Sequence, residues 1–70
     1  MATFKQVEKQ VNEQLVSISN ETGEGKLTLN IIRKGLETDT VDSIVNDVVT
    51  GNCTTKEATS ALLTTYYICN

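Results

Sequence analysis

The sequence has no histidine, no proline and no tryptophan, and it has only two cysteines. Two cysteines without histidine cannot supply the four ligands of a structural zinc site within one chain. Histidine is also the usual base that activates a serine or cysteine nucleophile, so the common arrangements for covalent catalysis cannot form. The sequence therefore predicts a protein that is not an enzyme and that binds neither a metal nor a cofactor.

Two further absences concern membranes and nucleic acids. No stretch approaches the roughly 18 apolar residues of a membrane-spanning helix. The N-terminal part carries charges throughout and lacks the apolar run of a signal peptide. The net charge is −3, a sign that disfavours binding to a phosphate backbone, although a local basic patch could still bind it. We therefore expect a cytoplasmic protein without membrane contact, with nucleic acid as a disfavoured partner.

The two cysteines lie too far apart to form a disulfide if one helix joins them. Cys53 and Cys69 would then be separated by about 24 Å at the helical rise, whereas a disulfide needs Cα atoms within roughly 7 Å. We expect two free thiols in a reducing compartment.

The absence of proline removes the strongest helix breaker, and the caps predict where helices begin. Thr3 and Gln6 fit a capping box at the start of a first helix. An apolar stripe follows at Phe4, Val7, Val11, Leu15 and Ile18, with the spacing of one helical face. This helix is expected to end near Ser19, because the composition of 20–25 is typical of a turn.

Residues 26–36 are open to two interpretations. Alternation of Leu27, Leu29 and Ile31 is typical of a strand and would allow a short hairpin around residues 15–32. A short helix is the favoured interpretation, with Gly35 in a left-handed Schellman position and Leu36 packed back on Ile31. The predicted fold is accordingly all-α, a small bundle of three to four helices in one domain spanning 1–70. The alternative is an α+β fold containing the hairpin.

Two further helices are indicated in the second half. The first has Thr38, Asp39 and Thr40 as candidate caps, and Gly51 ends it. Its apolar stripe is Val41, Ile44, Val45, Val48 and Val49. The second begins with a capping box at Thr54 and Glu57. Its predicted buried face is Ala58, Ala61, Leu62, Thr65, Tyr66 and Cys69.

Two candidate surfaces emerge from this arrangement. Apolar residues almost encircle the last helix, which is typical of a helix pressed against a second chain or central in the fold. The candidate interface residues are Leu62, Leu63, Tyr66, Tyr67 and Ile68, and tyrosine suits interfaces because it offers both area and a hydroxyl. The second candidate is an acidic face for a basic partner, formed by Glu37, Asp39, Asp42 and Asp47. The same residues are equally interpretable as a solvated face.

The favoured functional hypothesis is a small, non-enzymatic protein-binding regulator or inhibitor that forms a homodimer. By analogy alone, such compact inhibitors are often encoded by phages and other mobile elements. The alternative is a DNA-binding regulator with a helix-turn-helix-like corner at 41–68. Its recognition helix would expose Lys56, Thr59, Ser60 and Thr64. Lys56 is the only basic residue after Lys34, which disfavours DNA because DNA-binding helices normally present several.

Overall fold

The computed structural model describes residues 3–23 and 27–69, and in these ranges the chain forms four helices and no strand. The helices are α1 (Phe4–Thr22), α2 (Leu29–Gly35), α3 (Thr38–Val49) and α4 (Thr55–Cys69). The all-α prediction is confirmed, and the hairpin alternative is wrong. Thr28, whose hydroxyl accepts from the backbone N–H of Ile31, caps a helix where alternation favoured a strand.

The predicted capping box begins α1. The backbone N–H of Thr3 donates to Gln6 Oε1 at 2.9 Å, and the N–H of Gln6 donates to Thr3 Oγ1 at 3.2 Å. The helix continues to Thr22, beyond its expected end near Ser19. Gly23 ends it with a φ of +73°, a left-handed conformation that glycine adopts without a steric penalty.

Ser19, near which α1 was expected to end, is instead a buried position within the helix. Its side chain is almost fully buried, and both functions of its hydroxyl are satisfied. Ser19 Oγ donates to the carbonyl of Val16 and accepts from the backbone N–H of Leu27 at 3.0 Å. A buried hydroxyl without such partners would be costly, so these bonds let a polar residue continue the buried face of α1.

The Schellman motif predicted at Gly35 is wrong, and one forms at Gly51 instead. Gly35 lies in the last turn of α2, and in the described ranges only Gly23 and Gly51 have positive φ. Leu36 leaves α2 in an extended conformation that carries its side chain into the core. Leu36 is therefore buried in the core, while Ile31, its expected contact, is exposed.

The boundaries of α3 also differ from expectation at one end. Glu37 is the N-cap and makes no side-chain capping bond, so the predicted caps Thr38, Asp39 and Thr40 are wrong. At the other end Gly51, with a φ of +85°, closes the helix as predicted. The backbone N–H groups there donate in the Schellman pattern, Gly51 to the Val48 carbonyl and Asn52 to the Asp47 carbonyl.

The second capping box is also confirmed, but the buried face of α4 is rotated from the predicted one. The N–H of Thr54 donates to Glu57 Oε1 at 3.0 Å, and the N–H of Glu57 donates to Thr54 Oγ1 at 3.2 Å. Ala61 is exposed, and Thr59 is fully buried instead. Thr59 Oγ1 donates to the carbonyl of Thr55 at 2.8 Å, so burial leaves no hydroxyl unsatisfied. The side chain of Cys69 lies outside the described residues.

One apolar core receives side chains from every helix. Its buried members are Val7, Val11, Leu15, Leu29, Ile32, Leu36, Val41, Val45, Ala58 and Leu62. The apolar stripes predicted for α1 and α3 therefore face this core, with Ile44, Val48 and Val49 half-buried at its edge. None of the helices in the described ranges combines the length and the apolar character needed to cross a bilayer.

Candidate interaction surface

The predicted interface on α4 divides between the core and the surface. Leu62 is fully buried, so its assignment to an interface is wrong: its side chain already fills the core. Leu63 and Tyr66 are half-buried and pack against that core. Tyr67 and Ile68 are exposed by 52% and 79%. These two residues are the part of the predicted interface that a partner can contact with little rearrangement.

Tyr67 and Ile68 belong to a longer exposed stripe that runs along α4. We define the uncharged stripe as Ser60, Ala61, Thr64, Tyr67 and Ile68, all of which are exposed. Residues three and four apart share a helical face, so these five form one continuous band. The sequence-based prediction did not assign the first three members to this interface, because it buried Ala61 and placed Ser60 and Thr64 on the alternative DNA-contacting face. A helical threonine can donate its hydroxyl hydrogen bond to a carbonyl of its own helix, which permits burial at position 59. Burial of Thr59 would have indicated the correct orientation of the helix and the exposure of Ala61.

The stripe differs from the rest of the protein surface in charge. The chain carries a net charge of −3, yet no Asp, Glu, Lys or Arg occurs after Glu57. The uncharged stripe is therefore a part of α4 that a second protein can approach without desolvating a charged group of the stripe itself. Interface cores are similarly depleted in charged residues and enriched in tyrosine.

The tyrosine ring in the stripe is positioned by its neighbour. The rings of Tyr66 and Tyr67 are 5.7 Å apart between centroids, with an angle of 71° between their planes. This edge-to-face arrangement is a favourable one for aromatic pairs. Because Tyr66 packs against the core, the contact connects the exposed ring to a fixed part of the fold, which lowers the entropic cost of presenting Tyr67 to a partner.

The predicted acidic residues do not act as one group. Glu37, Asp39 and Asp47 are exposed. Asp42 is half-buried, and its Oδ1 accepts a hydrogen bond of 2.7 Å from Arg33. Asp42 is thus part of an ion pair inside the protein, with a guanidinium that it shares with Glu8. The acidic face that remains for a basic partner consists of the other three residues, and its role in binding stays a prediction.

Cys53 is a free, half-buried thiol in the turn before α4. Burial raises the pKa of this thiol, and the negative charges of Asp47 and Glu57 raise it further. The thiolate is the nucleophilic form, and reactive cysteines lie in electropositive surroundings that lower the pKa. The surroundings of Cys53 have the opposite effect, so they favour the unreactive thiol.

A shallow depression of about 270 Å³ lies between α1 and the beginning of α4. The side chains lining it are all polar: Gln10, Glu13, Gln14, Ser17 and Thr55. Small-molecule sites are mainly apolar and enclose most of the ligand, so this depression is not favoured as one. Across residues 3–23 and 27–69, no three His, Cys, Asp or Glu side chains are grouped so that they could hold a metal ion.

The helix-turn-helix interpretation loses one of its contact residues. Thr59 is fully buried and cannot contact DNA, whereas Lys56, Ser60 and Thr64 are exposed. The remaining exposed set contains a single positive charge, and DNA-binding surfaces depend on several. The charge of this exposed set therefore gives little support to contact with a phosphate backbone.

Comparisons with protein-family models, with curated proteins and with solved structures find no match to this chain.

Proposed function

We propose that this protein is a small, non-enzymatic regulator or inhibitor that acts by binding another protein through the uncharged stripe of α4. The observation that carries the proposal is the exposure of Tyr67 and Ile68 on the part of α4 that follows Glu57 and has no charged side chain. Adjacent large apolar residues that remain exposed on a folded domain are typical of interaction sites. The pKa of the Cys53 thiol, raised by burial and nearby carboxylates, supports a binding role over covalent catalysis.

The proposal includes the cytoplasmic location expected from the sequence, with which the free thiol of Cys53 is compatible. The partner surface should be apolar and weakly charged where it meets Tyr67 and Ile68. Exposed aromatic anchors commonly carry a large share of the binding free energy. We therefore expect these two side chains, rather than the acidic residues of α3, to determine affinity.

The test is quantitative affinity capture with the full chain from a lysate of the cells that encode it. The bait is compared with a Tyr67→Ser, Ile68→Ser variant and with a Glu37→Gln, Asp47→Asn variant as the matched control. The proposal expects a partner whose recovery falls at least about tenfold with the first variant and not with the second. Titration of the purified partner against all three baits must reproduce that order. The proposal is contradicted if every captured protein is recovered equally well with the wild type and with the Tyr67→Ser, Ile68→Ser variant.

A further inference from the structure

Resting on the proposed function, we propose that a second copy of this chain also binds the uncharged stripe. The two α4 helices pack antiparallel across a two-fold axis that passes beside Thr64. Self-association and partner binding then use the same surface and compete. The proposal depends on three properties of the stripe: its spacing, the sizes of its side chains and its charge.

The spacing of the stripe is symmetric about Thr64. Ala61 and Tyr67 lie three residues before and after Thr64, and Ser60 and Ile68 lie four residues before and after it. A two-fold axis perpendicular to a helix reverses its direction in the second copy. Each residue of the stripe therefore faces its mirror position, and Thr64 faces itself. This is the self-complementary pattern that a two-fold interface requires.

The side-chain sizes select the antiparallel orientation over a parallel one. Ser60 and Ala61 before the axis are small, whereas Tyr67 and Ile68 after it are large. In the antiparallel pair, each large side chain of one copy lies over a small one of the other. A parallel pair would place the two Tyr67 rings together and leave a gap between the small residues. Close packing of helix surfaces favours the arrangement that fills space evenly.

The charge of the stripe suits a copy of the same chain. Each copy carries a net charge of −3, so two copies repel wherever acidic surfaces meet. Glu37, Asp39 and Asp47 are exposed on or beside α3, and a basic partner would be attracted there. The stripe, by contrast, has no charged side chain, so a like-charged copy can dock on it without placing carboxylates in contact.

The small size of the stripe sets the strength of the dimer. Five residues are far fewer than the roughly 20–30 per side of a standard interface, which buries about 800 Å² on each partner. The apolar core is formed within one copy from all four helices, so the monomer does not need the dimer to bury its large aliphatic side chains. We therefore expect a weak, concentration-dependent monomer–dimer equilibrium.

The first test measures the mass of the full chain by sedimentation equilibrium, over concentrations from about 1 µM to 1 mM. The average mass should rise from 7.7 kDa towards twice that value. Thr64→Asp brings two carboxylates together at the axis and should weaken dimerisation at least about tenfold. Ser43→Asp adds the same charge at an exposed position of α3 and should leave the mass curve unchanged. A wild-type chain that stays monomeric throughout, or equal effects of the two variants, overturns the proposal.

The second test examines orientation with two exposed positions that face each other only in the antiparallel pair. Ser60→Lys and Ile68→Glu are prepared separately, and circular dichroism verifies that each keeps its helix content. Each variant alone should dimerise more weakly than the wild type. A 1:1 mixture should form a heterodimer. In it, the new ammonium at position 60 of one chain faces the new carboxylate at position 68 of the other chain. The second contact between these positions keeps its native Ile68 and Ser60. A mixture no heavier than its components rules out the antiparallel pair.

The dimer and the proposed function can fail independently. A strictly monomeric chain whose partner capture still depends on Tyr67 and Ile68 removes the dimer and leaves the proposed function intact. A chain that dimerises through Thr64, but whose capture of other proteins is indifferent to those two residues, retains the dimer and loses the proposed function.

Discussion

Arg33 on α2 donates a hydrogen bond of 2.7 Å to Glu8 on α1, although 25 residues separate the two in the chain. A second N–H of the same guanidinium donates to Asp42 on α3, also at 2.7 Å. Burial acts to lower the pKa of Arg33, but the hydrogen bonds and charges of the two carboxylates outweigh it and raise the pKa above its ordinary value. Arg33 therefore stays charged and joins three helices at one point.

Arg33→Ala should lower the free energy of unfolding by about 1–2 kcal/mol. The expected loss is moderate because all three side chains remain partly exposed, so water can solvate the two carboxylates that lose their partner. Lys34→Ala, at the exposed neighbouring position, is the matched control and should change stability by less than about 0.5 kcal/mol. Urea denaturation monitored by circular dichroism gives both values. Equal losses would show that the three-helix connection contributes nothing specific.

Asn12 positions the beginning of α2 through its side-chain carbonyl. Asn12 Oδ1 accepts a hydrogen bond of 2.8 Å from the backbone N–H of Leu29, one of the donors that a helix leaves unpaired at its N-terminus. Asn12→Ala should cost about 1–2 kcal/mol, because this partly buried donor then lacks a protein partner. Hydrogen exchange of the Leu29 amide should accelerate more than exchange in α4.

Asn12→Asp is the informative control for this contact. The carboxylate keeps an acceptor at the same position and adds a negative charge near a helix N-terminus, which is favourable by about 0.3–1 kcal/mol. Its stability should therefore equal or exceed that of the wild type at neutral pH. If the Asp variant is as unstable as the Ala variant, the amide nitrogen of Asn12, and not its oxygen, carries the stabilising contact.

The orientation of α4 can be tested with two adjacent residues. Leu62 is fully buried, and Ala61 is exposed on the uncharged stripe. Leu62→Ala should lower the free energy of unfolding by about 2–5 kcal/mol, since it removes buried methyl groups and leaves a cavity. Ala61→Ser should change it by less than about 0.7 kcal/mol, because the substitution is exposed and differs mainly in helix propensity. Chemical denaturation of both variants at low temperature measures the two changes in the free energy of unfolding. A large loss of stability from Ala61→Ser as well would restore the originally predicted face, which buries both residues.

The features that the sequence predicted correctly are local. Each capping box is a reciprocal pair of hydrogen bonds three residues apart, so Thr3 with Gln6 and Thr54 with Glu57 are recognisable from adjacent residues alone. The apolar stripes of α1 and α3 are similarly clear, because one helical period separates their members. Gly51 was identified as a helix end because an apolar stripe stops just before it.

The features that the sequence did not predict depend on distant partners. Residues on the polar side of α1, including Asn12 and Glu8, look solvated until α2 packs against them. Gly35 lies in the last turn of α2, whereas Gly51 follows α3 and has a positive φ. Leu36, the residue after Gly35, is extended and buried in the core, and the local pattern does not contain the distant residues that surround it. The exposure of Ala61 and Thr59 was predicted wrongly for a related reason. Thr59 is buried and its hydroxyl donates to the carbonyl of Thr55 in its own helix, which reverses the exposure expected from polarity.

The carboxylate of Glu57 makes the stability of α4 depend on pH. The backbone N–H of Thr54 donates to it and is the main cause of its lowered pKa, and the side chain of Thr54 contributes further. A group whose pKa is lower in the folded state stabilises the fold above its unfolded pKa, and loses that contribution as pH falls through the folded value. The contribution of Glu57 should therefore be complete above its ordinary value of 4.5 and disappear below it.

Glu57→Gln separates the charge from the cap. The amide of Gln retains an oxygen that can accept a hydrogen bond from Thr54, but it does not titrate near pH 4. The difference in unfolding free energy between wild type and variant should therefore shrink as the pH falls from about 6 to 3. Glu57→Ala removes both the acceptor and the charge, and it should be less stable than the Gln variant at every pH in that range. Urea denaturation across the range measures both differences. A wild-type-minus-Gln difference that is constant with pH would show that the pKa of Glu57 is the same in the folded and unfolded chains.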